Sequence, residues 1–336
     1  MYSAYGYYSD SKKIIESYTN VNIDSNINEL NITNIINVNW YNVASSSDAK
    51  YLFAIGPRSG IYISTNLGKM WSILIADTTL DWIGITCSKT GINLVACAIY
   101  GGIYYSNNFG LTWKKSDAPE NIGWFSVASD ESGQYLIACA SNEGLIYTSS
   151  NYGVTWLKNN KISIMRYISV AINIKDNKDK NNKNNKNNKD NKNNNITYIV
   201  GGDNTGIIIS NDSGKSWETK SIISNWESFD IDSTGTKMVA SSGYIYISDD
   251  TGVTWTQLLN APMCYQVISD KTGNILVGCS KGKFHKSTNR GNTWKTYSID
   301  DTTSFSSIAM DQTGKIITLA AMNNQSKKSL FTAIIN

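Results

Sequence analysis

The 336-residue chain has one histidine, three prolines and three arginines, and no apolar run approaching the ~18 residues of a membrane span. A single histidine argues against a His-built active site or a His-rich metal site. Charged residues make up 17% of the chain, below the roughly 25% of ordinary domains, so neutral polar groups must cover the surface. Asparagine supplies 40 of them. The five cysteines (Cys87, Cys97, Cys139, Cys264, Cys279) include no CxxC pair, which removes support for zinc or thioredoxin-type chemistry. Cys97, Cys139 and Cys279 follow apolar stretches and read as small buried hydrophobes. Residues 1–30 open with MYSAYGYYSD, with neither a basic n-region nor an apolar h-region. No signal peptide is expected. The odd cysteine count then points to a reducing, intracellular setting, cytoplasmic or in a viral particle. Neither a metal nor a cofactor is expected, and no membrane partner.

The net charge of +3 is unevenly placed. Residues 174–195, IKDNKDKNNKNNKNNKDNKNNN, hold seven Lys and three Asp, which leaves the rest of the chain at −1. A nucleic-acid surface needs a basic stripe on the folded body, and none is visible. Nucleic acid is therefore not expected as a partner beyond weak contacts by this run. Its composition predicts a disordered low-complexity insertion. Asn, Lys and Ile are also what AT-rich codons encode, so an AT-rich genome is expected, that of a protist or a large DNA virus.

A chain this long implies either two domains or one repeat architecture, and the repeats decide. One pattern, S-x-[N/D]-x-G-x-x-W, occurs at 64–71, 106–113, 149–156, 210–217, 248–255 and 287–294. The steps are 42, 43, 61, 38 and 39 residues, and the long one contains the Asn/Lys run. Before each copy lies a short strand opened by an aromatic: Trp40, Trp82, Trp124, Tyr167, Trp226 and Phe305, with Cys264 at the equivalent place in one repeat. A Gly turn and an apolar strand follow. Repeats of about 40 residues with four short strands (a to d) are propeller blades. The expected fold is all-β: a single seven-bladed β-propeller of four-stranded antiparallel blades over 31–336. The last repeat ends at SLFTAIIN without a fourth strand. The segment LNITNIIN before Trp40 is expected to supply it and close the ring. Residues 1–30 read as a polar, Tyr-rich tail, in which GYYSDSKK at 6–13 faintly resembles an extra hairpin.

Folding alone explains the repeated box, which sits on the hairpin between strands c and d. Its Asx residue (Asn66, Asn108, Asn151, Asp212, Asp250, Asn289) can accept backbone N–H bonds from two residues on. Its glycine (Gly68, Gly110, Gly153, Gly214, Gly252, Gly291) supplies positive φ. Its tryptophan (Trp71, Trp113, Trp156, Trp217, Trp255, Trp294) packs back over the turn. Four of the six Asx residues are neutral, so this is no calcium site. The pattern resembles the Asp-box, or BNR repeat, shared by sialidases, sortilin-type receptors, xyloglucan-cleaving glycoside hydrolases and the photosystem II stability and assembly factor family. The resemblance implies the propeller fold and no single activity.

A sialidase, as that resemblance would have it, needs three converging arginines. Arg290 lies in a box hairpin, on the opposite face from the b–c loop carrying Arg58, and the third arginine is Arg166. A glycosidase needs two carboxyls roughly 5–10 Å apart. Asp77 and Asp81, Asp117 and Glu120, Glu227, and Asp300 with Asp301 lie on the loops between blades, on the same face as the b–c loops. Carboxylates there usually belong to solvated turns. His285, in KFHKS, reads as a surface strand residue. For binding, the candidates are Arg58, Asp81, Tyr100, Glu120, Glu143 and Asp203 on this loop-rich face, with Trp82, Trp124 and Trp226 as a stacking ring. The competing reading of the tryptophans is packing between blades, because it recurs while a binding site is local. The expected function is non-catalytic: a scaffold docking a protein partner or assembly intermediate. The alternative is a glycan-binding or glycoside-hydrolase-like propeller, and a third option is a structural component of a particle.

Overall fold

The computed structural model describes residues 15–16, 27–34, 38–141, 144–162, 166–174, 196–220, 222–299, 303–322 and 329–335. These residues contain strands and no helix. They build a seven-bladed β-propeller in which each blade is an antiparallel sheet with strand a innermost. Blade 1 runs Asn42–Ser45, Leu52–Gly56, Gly60–Ser64 and Met70–Ile75. Blade 2 runs Asp81–Cys87, Leu94–Ile99, Gly102–Ser106 and Lys114–Lys115. Blade 3 runs Trp124–Ser129, Leu136–Ala140, Leu145–Ser149 and Leu157–Asn159. Blade 4 runs Tyr167–Ile174, Ile196–Gly202, Ile208–Ser210 and Glu218–Thr219. Blade 5 runs Ser228–Ile231, Met238–Ser241, Ile245–Ser248 and Thr256–Gln257. Blade 6 runs Gln266–Ser269, Leu276–Ser280, Lys283–Ser287 and Lys295–Ser298. Blade 7 takes Ser304–Met310, Ile316–Met322 and Ser329–Ile335 from the end of the chain.

Its fourth strand is Ile27–Asn34, paired antiparallel to Ser329–Ile335 from Ile27↔Ile335 to Asn34↔Ser329. Closure therefore comes from the N-terminal side, four residues earlier than residue 31, and leaves no open seam between first and last blades. Ile15–Glu16 adds a fifth strand to the outer edge of blade 1, opposite Met70 and Trp71. The suggested hairpin at 6–13 lies outside the described residues. So does the Asn/Lys insertion apart from Ile174, which pairs with Ile196 at the tip of the a–b hairpin of blade 4.

The second strand of each blade is mostly apolar because both of its faces are covered, one by each neighbouring blade. Each of the seven seams holds its own buried cluster. Between blades 2 and 3, Ile83, Val95, Cys97 and Ile103 meet Trp124, Leu136, Ala138 and Tyr147. Trp124 stands edge-on to Tyr147 at 5.1 Å. Burying one such side chain stabilises the fold by about 1.5–3 kcal/mol.

The six boxes form one hairpin repeated. The Ser hydroxyl accepts the Gly N–H four residues on, as in Gly153 to Ser149 at 3.1 Å, and donates to the Asx oxygen, as in Ser149 to Asn151 at 3.0 Å. The Asx oxygen in turn accepts an N–H four residues on, as in Thr155 to Asn151 at 2.9 Å. This corrects the expected bond from two residues on, and it gives the serine a role the sequence reading left unassigned. The box glycines have φ of +77° to +85°, and the residue before each is also left-handed. A side chain at Gly153 would put its Cβ 2.8 Å from Val95 of the neighbouring blade. The box tryptophans of blades 3 to 6 donate their indole N–H to their own glycine carbonyls.

Candidate functional site

Strand direction fixes which loops share a face. The boxes and the a–b turns lie on one side of the disc; the b–c hairpins and the blade-to-blade loops lie on the other. A central channel joins the two faces. On the box face it opens into a basin of about 700 Å³, bordered by Ser47, Lys89, Glu131, Asn173, Lys271 and Gln312. Successive a–b turns are tied there by main-chain bonds: Ser47 donates to Lys89, Lys89 to Glu131, Ser233 to Lys271 and Gln312 to Ser47.

On the loop-rich face the channel mouth is a cavity of about 310 Å³. Its wall includes Tyr41, Ile83, Phe125, Ile168, Glu227 and Ser306, each directly following the repeated aromatic. In blades 2, 3, 4 and 7 the strand a/b register slips at that position, between Trp82 and Gly84, Trp124 and Ser126, Tyr167 and Ser169, and Phe305 and Ser307. A bulge leaves one residue unpaired and re-aims its side chain. Here the aromatic is driven into the seam and its successor into the channel. Gln266 and Asp203 also line the wall.

This geometry sorts the sequence candidates. Trp82, Trp124 and Trp226 have no exposed surface. They form no stacking ring, because inter-blade packing consumes them. Trp124 and Trp226 also donate their indole N–H groups to the carbonyls of Pro119 and Thr205. Arg58 and Asp81 pair at 3.3 Å across the loops of blades 1 and 2. Glu120 pairs with Lys115 at 2.9 Å. Tyr100, half exposed, projects from the b–c hairpin of blade 2. Glu143 lies outside the described residues, as do Asp300 and Asp301. Of the binding candidates only Asp203 reaches the channel mouth, held by Arg166 at 2.7 Å, and of the loop carboxylates Glu227 lies there too. The three arginines do not converge: Arg290 binds Asp249 and the carbonyls of Gly273, Met238 and Ser248 on the box face.

Glu227 is the distinctive titratable group of the mouth. Burial, then the charge of Asp203, pushes its carboxyl up to about 7. It has no ion-pair partner among the described residues. Its main chain is fixed: its N–H donates to Ser241, and its carbonyl accepts from the Gln266 side chain at 3.2 Å. Tyr41 and Phe125 stand edge-to-face at 6.4 Å on the same cavity. Deeper in the channel, burial raises the Asp230 carboxyl to about 6 although Ser269 and Ile231 donate to it. His285 is buried rather than on the surface, and its ring nitrogens lie 2.9 Å from Ser280 Oγ and 2.9 Å from Thr296 Oγ1. Burial, then Lys283, lowers it to about 4. A base that weak transfers protons poorly near neutrality, so the Ser280 contact reads as a packed polar cluster.

The sequence signal for the mouth was the variable residue after each repeated aromatic. Of these residues the sequence alone singles out Glu227, as a loop carboxylate, because the repeated aromatic is the stronger signal at the others.

No family model and no curated protein matches the sequence. Among solved structures, that of YCF48 bound to D1 peptide is similar over 96% of this chain and 100% of that chain, at 12% identity and a TM-score of 0.64. That of YCF48 from Cyanidioschyzon merolae is similar over 89% and 96%, at 11% identity and a TM-score of 0.63. At these identities the likeness shows the propeller fold alone. No helix of the described residues is long and apolar enough to cross a membrane.

Proposed function

We propose that this protein is a non-catalytic binding scaffold that docks a protein partner or assembly intermediate on its loop-rich face. The observation that carries this reading is the channel mouth. It is an open cavity whose wall differs from blade to blade, set on a disc whose other features repeat. Variable groups on a rigid frame are where selectivity sits. A similar propeller, YCF48, has been solved with a D1 peptide bound, which fits this reading. The test is affinity capture from the native source with mass spectrometry. Wild type is compared with a variant of the loop-rich face, Phe125→Ala of the mouth with Tyr265→Ala, an exposed ring next to Gln266, and with a box-face variant of two exposed residues, Leu111→Ala with Val253→Ala. A stoichiometric protein lost only by the variant of the loop-rich face is expected. A protein lost only by the box-face variant would overturn the placement, and no captured protein would overturn the function.

One observation favours the glycoside-hydrolase alternative. Asp203 and Glu227 share a cavity, and one of them is raised as a general acid would be. Turnover of aryl glycosides by wild type but not by Glu227→Gln would establish it. Against it, Asp203 is already neutralised by Arg166.

A further inference from the structure

Beside Glu227, the loop-rich face carries an apolar arc that nothing in the fold uses. Tyr265, Met263 and Tyr244 are each more than half exposed. Main-chain bonds hold them together: Cys264 donates to Gly243 at 3.0 Å, and a Cβ built on Gly243 would lie 3.8 Å from the Met263 methyl. Tyr265 directly precedes Gln266 of the cavity wall. Its carbonyl accepts from the hydroxyl of Ser241, whose own carbonyl accepts the Glu227 N–H. The arc therefore adjoins the mouth. The exposed apolar residues of the box face, such as Leu111, Val154 and Val253, stand on separate hairpins instead.

The mouth supplies the charge that selects an occupant. Arg58, Lys115 and Arg166 each already hold a carboxylate on this face. Glu227 has no such partner among the described residues, and Tyr41 and Phe125 on the same cavity can face a cation as well as an apolar group. Resting on the docking function above, we infer that the docked partner is a protein segment bearing a lysine or arginine next to an apolar residue. The cation enters the channel mouth against Glu227, and the apolar residue lies on Tyr265 and Met263. A neutral or acidic segment would leave Glu227 desolvated and unpaired, a cost that selects against it.

Ionisation makes the pairing testable. The titratable and charged groups facing Glu227 are Asp203, itself bound to Arg166, and the buried Cys279 thiol. A bound cation favours the ionised carboxylate, so affinity for a basic segment should rise from about pH 6 to about pH 8.

The experiment selects random displayed short peptides on the intact protein, then titrates the recovered sequences into wild type, Glu227→Gln and Tyr265→Ala. Recovered peptides should pair a basic with an apolar residue. Glu227→Gln, which is isosteric, should fold and melt cooperatively at least as high as wild type, weaken binding about tenfold and abolish the pH dependence. Tyr265→Ala should weaken binding and keep the pH dependence. Recovered peptides that lack a basic residue, or that bind Glu227→Gln unchanged, would overturn this inference and leave the docking function standing. Recovery of no peptide at all would overturn both.

Discussion

The two faces of this propeller are built on opposite plans. On the box face one hairpin is copied around the disc, and its bonds barely vary: the Gly N–H to Ser distance stays between 2.8 and 3.1 Å in all six copies. On the loop-rich face the side chains presented change from blade to blade among the described residues. Arg58 meets Asp81, Lys115 meets Glu120, Arg166 meets Asp203, and the loops of blades 5 and 6 present tyrosine and methionine. A chemistry repeated around a ring answers a requirement that every blade shares, which is to turn and to pack. A chemistry present once answers something outside the fold. Repetition and singularity thus separate scaffold from site more reliably than residue type does, since both faces contain Asp, Asn and aromatics.

The hardest blow to the repeated plan falls at the seams. Trp124→Ala removes a fully buried indole between blades 2 and 3 and should cost about 3–5 kcal/mol. Chemical denaturation would read this as a lower midpoint at unchanged slope. A loss below about 1 kcal/mol would mean that the seam collapses onto the gap, and that the tryptophans are not what holds the ring.

Lesser damage is expected from one box. Asn108→Ala deprives Thr112 N–H of its acceptor and Ser106 of its partner, so a loss of about 1–2 kcal/mol is expected, as for a helix cap. Asn108→Asp should be close to neutral, because Asp212 and Asp250 do the same work in their blades. The Thr254 hydroxyl and amide even hold Asp250 down at about 2, so its charge is retained. The sharper comparison is with Asn151→Ala in the next blade. If the two losses differ by more than about 1 kcal/mol, the boxes are not interchangeable and the repeated plan is wrong.

The fold was legible because its signals are local and copied. Ser-x-Asx-x-Gly-x-x-Trp needs only eight residues to specify a hairpin, and six copies at near-constant spacing leave few architectures open. Closure by the segment before Trp40 followed from the same count, since the last repeat lacked a strand. The mouth was less legible. Phe125 and Glu227 enter the channel through the local strand geometry and not through any feature of residue type, and Tyr265 joins Glu227 only through Ser241 of a third strand. The tryptophans misled for the opposite reason. Large aromatics at a strand start are equally compatible with a seam and a surface, and only the packing of the neighbouring blade decides: Trp226 is as buried as Trp124 although no register slip lies beside it.

On the loop-rich face the expected stability effects shrink and change sign. Glu227 is raised from 4.5 to about 7. Between those pH values the unfolded chain gives up the proton and the folded protein retains it, so this group makes stability fall as pH rises from about 4.5 to about 7, and level off above. Glu227→Gln removes that decline. The variant should match wild type at the acid end and melt higher above neutrality. Melting curves across this range would show it, and parallel profiles for the two proteins would mean the carboxyl is not desolvated.

The smallest effect on folding belongs to the arc. Tyr265→Ala removes a ring that is more than half exposed, so stability should stay within about 0.5 kcal/mol of wild type. Its main-chain ties, to Cys279 through the N–H and to Ser241 through the carbonyl, do not depend on the side chain. A ring that costs little when removed, yet sits in apolar contact with water beside an unpaired carboxyl, is not being kept by the fold. If Tyr265→Ala instead lowered the melting temperature as far as a box variant does, the arc would belong to the scaffold, and the contrast between the two faces would fail at the position where it is drawn most sharply.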